Sequence, residues 1–449
     1  MTLNIFARRP ALLLAFDGFL RMGVGFLVAV AIAREYGPAG LGAITTGVAW
    51  VTVVLGFSAL GLSGVMIREL VHRAGERGTL ILSVTILKAA AGTLLYALLL
   101  GLLYMLQDDG NQVALLAAIM GLGFFFSALD PVDSLYNARK EFARLVFWRA
   151  MAMSVASLVK VGALYFDLGL ELVAVGYAID YSFVYLLPLL DFLVRRGTFE
   201  DGVYSLHADL RLAVVLVRES WPVLISGGFA QINLRIDALM LATISSLYSV
   251  GVYSAAARLS EAWSVLAMAI VTAAFPDLVR LAGTEASLYA DKLRSLFAQL
   301  ICISLVGAIG ISLLSPVIVG AVYGDEYSAS STVLSIHVFG GVFLFIRTAV
   351  SRWLIVEKLL IFSLLSHGLG AALNVGLNLI LIPTVGVNGA AITAVISYAA
   401  SGLLFLALSR STRPLLFLIL WAAVPGPLGR RMCRYHGTRM PSSRLELSH

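Results

Sequence analysis

Twelve runs of roughly twenty mostly apolar residues follow one another along this 449-residue chain. They lie near 11–33, 41–66, 80–106, 112–137, 145–166, 172–194, 220–243, 249–275, 295–321, 330–350, 360–383 and 387–409. A run of that length spans the hydrocarbon of a bilayer as a helix. Lipid offers no partner to an open backbone group, so only helices and closed barrels cross it. The chain is 60% hydrophobic and 13% charged, about half the charge of a soluble domain. The expected fold is all-α and integral to the membrane, with about 12 transmembrane helices.

Lys and Arg set the orientation. Numbering the connections alternately, one side collects twenty of them, including Arg8 and Arg9, Arg68, Arg73 and Arg77, and Arg139, Lys140, Arg144 and Arg149. The other side holds only Arg34, beside Glu35, Asp108, Asp109, Asp167, Glu171, Asp325 and Glu326. The N-terminus is therefore expected in the cytoplasm. Arg8, Arg9 and Ala29-Val30-Ala31 resemble a signal peptide, but Asp17 and Arg21 interrupt the apolar stretch. It reads as a first span that is not cleaved. The net charge of +6 follows from this loop asymmetry, so no nucleic-acid partner is expected. Cys302 and Cys433 make no disulfide framework.

The longest connection, 195–219, divides the chain into an N-lobe (1–194) and a C-lobe (220–410) of six spans each. Gly169 and Tyr181 are repeated by Gly386 and Tyr398 at an offset of 217, which Ile179 and Ile396 keep. Two parallel six-span repeats with pseudo-two-fold symmetry around a central cavity are expected. Residues 411–449 form a short apolar segment (414–425) and a basic tail with Arg430, Arg431, Arg434, Arg439 and Arg444. The apolar segment is either interfacial or a truncated thirteenth span.

Five cations stand out inside the spans: Arg21, Lys160, Arg235, Arg258 and Arg347. A Lys or Arg at mid-membrane costs about 2.5–3.5 kcal/mol on insertion scales, so it faces a partner or a wet path. One reading makes these residues ligands of an anionic substrate, because the Arg fork suits phosphate. The other makes them structural ion pairs or snorkelling side chains. Asp17 stands four residues before Arg21, and Glu261 three after Arg258. Asp17, Asp180, Asp237 and Glu261 are candidates for ion coupling, against permanent pairing with a neighbouring Arg. His337 and His367, in spans ten and eleven, read as packing residues. Pro188, Pro222 with Gly227-Gly228, Pro316 and Gly340-Gly341 either kink their helices or allow close packing. No GxxxxGK[ST], HExxH, CxxC, GxSxG or DxD motif occurs, and no outer connection is long enough to build a catalytic site. Neither an enzyme nor a metal or cofactor site is expected.

The stretch RIDALMLATISSLYSVGVYSAAARLSEAWSVLAMAIVTAAFPDL, starting at Arg235, resembles the second-half signature of bacterial Wzx-type polysaccharide flippases. The matching positions are Asp237, Met240, Gly251, Tyr253, Ser254, Ala256, Glu261 and Pro276. EYGPAGLGAITTG at 35–47 and NLILIPTVGVNGAAITAVISY at 378–398 are similar to that family's connections between spans one and two and spans eleven and twelve. The resemblance implies the multidrug/oligosaccharidyl-lipid/polysaccharide exporter fold and a basic substrate path. It also implies movement of undecaprenyl-pyrophosphate-linked oligosaccharide by alternating access, with membrane lipids and a polysaccharide polymerase or glycosyltransferase as partners. Alternatives are a drug or metabolite exporter of the same fold, a peptidoglycan-precursor flippase, a membrane glycosyltransferase or polymerase, and a scaffold that transports nothing.

Overall fold

The computed structural model describes residues 3–58, 60–105, 112–195, 207–282, 286–357, 359, 361–422, 424, 426 and 431–432. Asp108, Asp109, Arg196, Gly197, Gly202, Lys358, Cys433 and Arg430, Arg434, Arg439 and Arg444 lie outside them. The described chain is helical throughout and divides into two compact units, Met1–Leu239 and Met240–His449.

The first unit holds α1 (Leu3–Ser58), α2 (Ser63–His72), α3 (Arg77–Met105), α4 (Gln112–Gly121), α5 (Gly123–Ser127), α6 (Asp130–Ala138), α7 (Phe142–Tyr165), α8 (Gly169–Arg195) and most of α9 (Leu210–Ile244). Helices α7 and α8 form the most extensive pair, and α1 packs on α7 and α4. A cluster of Leu62, Met66, Leu70, Leu80, Val84, Leu135, Ala213 and Leu216 joins α2, α3, α6 and α9. Arg68 adds two hydrogen bonds to Glu219, at 2.6 and 2.8 Å.

The second unit holds α10 (Leu247–Ala262), α11 (Ser264–Leu281), α12 (Ala286–Tyr323), α13 (Ala329–His337), α14 (Gly340–Val356), α15 (Ile361–Val385), α16 (Val387–Gly402) and α17 (Arg413–Ala422). Helix α16 buries Ala390, Ala391, Thr393, Ala394, Ser397 and Ser401, and α14 and α15 pack against it. Small residues allow that approach where lipid offers no hydrophobic drive between helices. Large apolar side chains point outward instead, among them Leu94, Leu158, Val306, Leu313 and Val317. This is the pattern of a multi-pass membrane protein.

Nine described helices are long and apolar enough to cross a membrane, ten if a pair bent by 46° counts as one span. The expected twelve exceeds this by two, at two identifiable places. Helix α1 runs through two expected spans, but Gly37 (φ 62°, ψ −171°) breaks it into residues 3–36 and 38–58. Helix α16 has 16 residues and continues only as a 3₁₀ turn, Leu404–Leu408. The bent pair covers the fourth expected span; Pro131 opens α6 there, lacking an N–H that a first turn leaves free anyway. Helix α17, at 10 residues, is too short to cross.

The Gly37 conformation belongs to a region that only glycine enters without strain, at about 1–3 kcal/mol for other residues. Gly37→Ala is therefore expected to lower the apparent melting temperature of the detergent-purified protein by that equivalent. Ala at the helical Gly23, where a Cβ meets nothing within 4 Å, is expected to leave it unchanged or raise it. Equal behaviour of the two variants in a thermal scan would show that the break does not need Gly37.

Candidate functional site

Charged residues at membrane depth fall into two kinds: cations tied to carboxylates and cations with none. The first kind fills the interior of the first unit. Asp17 and Arg21 share a face of α1, with Arg21 Nε 3.4 Å from Asp17 Oδ1. Arg149, on α7, donates to Asp133 at 2.6 Å and reaches Asp17 at 3.6 Å. Lys88, on α3 and only 1% exposed, donates to Asp130. Asp130 and Asp133 stand in the first turn of α6, where the helix dipole favours a carboxylate. Tyr185, on α8, lies within the field of Asp130, Asp133, Arg149 and Arg21. Three carboxylates thus face three cations, and the cluster is electrically balanced while it ties α1, α3, α6 and α7 together.

A second pair lies between α7 and α8. Lys160 donates to Asp180 at 2.9 Å and sits 4.0 Å above the Tyr177 ring, a cation–π arrangement. Gly176 makes room for it; a Cβ there would overlap the Lys160 side chain. Near the ends of α6, α7 and α8, Arg144 forks onto Asp191 with two bonds of 2.7 Å. Tyr136 donates to the same carboxylate, and Arg195 bridges Asp191 and Glu141.

The second kind comprises Arg235, Arg258 and Arg347, none of which forms an ion pair among the described residues. Arg235, on α9, is half-buried, and its Nε is buried without a hydrogen-bond partner. Asn233 and Asp237, on the same helix, are 0% and 1% exposed. Arg258, on α10, is half-buried and acts on the Tyr323 hydroxyl, which is itself buried and unpartnered. Glu261 stands one turn further along α10, also half-buried, with interactions of its own. Arg347, on α14, has a buried Nη1 that finds no partner. The groups that share its field are Tyr398 and His367, on α16 and α15, rather than carboxylates. His337 is buried between the Tyr253 and Tyr398 rings and is 2.6 Å from the Ser260 hydroxyl, so it serves packing and hydrogen bonding there.

The structure thus joins Asp17 to Arg21 and Lys160 to Asp180, and among the described residues it pairs Arg235, Arg258 and Arg347 with no carboxylate. Sequence reasoning missed Lys88, Asp130 and Asp133. For Lys88 the signal was present, a lysine deep in an apolar run. Arg149, counted with the connection charges although it falls within the expected span 145–166, belongs to that span. It lies inside α7, turned toward partners 16 and 132 residues away in sequence, and no local pattern reveals such partners. Among the described residues no group of three His, Cys, Asp or Glu is arranged to hold a metal ion.

Solved structures place the fold. A lipid II flippase MurJ in an inward closed conformation aligns with TM-score 0.69 at 15% identity, over 97% of this chain and 99% of that one. An inward-facing MATE-family multidrug resistance transporter of the MOP superfamily aligns with TM-score 0.70 at 13% identity, over 89% and 95%. A MOP superfamily transporter from Pyrococcus furiosus, described as having a binding pocket of reverse polarity, aligns with TM-score 0.61 at 17% identity, over 92% and 96%. At these identities the likeness establishes the fold alone. A comparison with curated protein sequences yields no match. The family model "Polysaccharide biosynthesis protein" matches residues 8–282. With that match over more than half its length, the chain belongs to the polysaccharide biosynthesis protein family, and its fold is that of MOP-superfamily transporters.

Proposed function

We propose that this protein is a flippase for undecaprenyl-pyrophosphate-linked oligosaccharide, working by alternating access in the bacterial inner membrane with its N-terminus in the cytoplasm. The observation that carries the reading is Arg347, a cation inside a span whose buried Nη1 has no hydrogen-bond partner and which makes no ion pair among the described residues. A charge left unpaired in that setting calls for an anion from outside the chain. A pyrophosphate meets it with two parallel hydrogen bonds from one guanidinium. Arg235 and Arg258 offer the same chemistry, so these three are the primary substrate ligands. Arg21 and Lys160, engaged by Asp17 and Asp180, reach substrate only when those carboxylates release them. Asp17, Asp180, Asp237 and Glu261 are where an ion would couple to that release. A polymerase or glycosyltransferase partner accounts for the supply and use of the glycan.

An exporter of cationic drugs would place carboxylates where this chain has unpaired arginines, and this weighs against that reading. The test is flipping of an undecaprenyl-pyrophosphate glycan in proteoliposomes, comparing wild type with a well-folded Arg235→Ala variant. Flipping by wild type and its loss in the variant support both the function and the cationic path. A wild type that moves neither this glycan lipid nor lipid II overturns the flippase reading. Equal activity in the two proteins keeps the function and removes Arg235 from the path.

A further inference from the structure

A cavity of about 300 Å³ opens at one end of the second unit. Its walls are the first turns of α10, α13 and α16. Tyr248, Thr332 and Asn388 supply the polar groups, and Val252, Val333 and Val387 the apolar ones. No Lys, Arg, Asp or Glu lines it. The turn that leads into α13 carries Asp325 and Glu326, so an anion entering here would meet no cation. This is also the end whose connections are acidic in sequence, the side expected to face outward.

We infer that this cavity is a subsite for one uncharged sugar ring of the transported glycan. A pyranose has an apolar C–H face and a rim of hydroxyls. The half-exposed Tyr248 ring and the partly exposed Val387 match the face, over a floor closed by the buried Val252 and Val333. The Asn388 amide and the Thr332 and Tyr248 hydroxyls match the rim, as donors and acceptors. The volume lies at the small end of the roughly 300–1,000 Å³ range of small-molecule sites, which suits one ring rather than a whole repeat. The pyrophosphate would then be held at the unpaired arginines and the glycan separately, at the end of the second unit. The inference rests on the flippase reading for the origin of the sugar and not for the binding itself.

The experiment is saturation-transfer-difference NMR on the full-length protein in lipid nanodiscs. The probes are the methyl glycosides of glucose, galactose and N-acetylglucosamine at millimolar concentration. We expect transfer to at least one glycoside in wild type and a several-fold drop in Tyr248→Ala and in Asn388→Ala. Arg347→Ala should leave the signal intact, and excess inorganic phosphate should not compete. Tyr248 is exposed, and a melting scan confirms that its variant folds; Thr332→Val supplies a milder independent lesion. No transfer from any glycoside, equal signals in wild type and all three cavity variants, or displacement by phosphate would each overturn the subsite. The assay contains neither lipid carrier nor transport step. A failed flipping assay with sugar binding intact therefore removes the flippase reading alone, and the converse result removes the subsite alone.

Discussion

Replacing Arg149 by alanine is expected to destabilise the protein by about 3–5 kcal/mol, the usual cost of stranding one partner of a buried ion pair. Its guanidinium serves two carboxylates, Asp133 at 2.6 Å and Asp17 at 3.6 Å, whose side chains are 7% and 8% exposed. Without it both remain in a poorly solvated interior, and only Arg21 stays beside Asp17. The lesion also cuts the link between α7 and the helices carrying those acids, α6 and α1. Thermal unfolding of the detergent-purified variant measures it. Adding Asp133→Asn to Arg149→Met should recover most of the loss, because a polar amide and an apolar stem replace the stranded pair while Asp17 keeps Arg21. An Arg149→Ala protein that melts within a degree of wild type would mean that water reaches the cluster.

Arg347→Ala is expected to do the opposite: transport falls by about 10- to 150-fold while the fold is kept. The figure is that of one charge-assisted bond to a phosphate, about 1.5–3 kcal/mol, converted to a rate. Stability is spared because no carboxylate depends on Arg347, so its removal strands no charge. A buried Nη1 that lacks a partner in the structure costs stability rather than adding to it, and the alanine protein should melt no lower than wild type. Initial rates of glycan-lipid flipping in proteoliposomes, with melting curves on the same samples, separate the two effects. Arg347→Lys should fall between, since an ammonium keeps the charge and loses the bidentate fork. Loss of transport together with a large loss of stability would make Arg347 a structural residue.

The two arginines are the same residue type inside apolar helices, and their expected phenotypes differ only through their surroundings. Those surroundings mark the boundary of what a sequence conveys. The fold class was legible because lipid leaves the backbone almost no choice: every polar group must be satisfied within a helix, so length and apolarity alone declare a span. The break at Gly37 falls in the gap expected between the first two spans, 33 to 41. Asp17 and Arg21 were readable as a pair because one helical turn joins them. Lys160 and Asp180 were each visible, but not as partners, because they sit on two helices that only packing brings together. Arg149, Asp133, Asp130 and Lys88 show the limit most plainly. Their meaning lies in contacts 16 to 132 residues apart, fixed by the bend at α6 and by the way α1, α3 and α7 pack around it. Sequence determined that cations would lie in the membrane. Tertiary structure decided which of them are already neutralised by the protein and which remain unpaired, because the cost of a buried charge depends on neighbours that the chain order does not name.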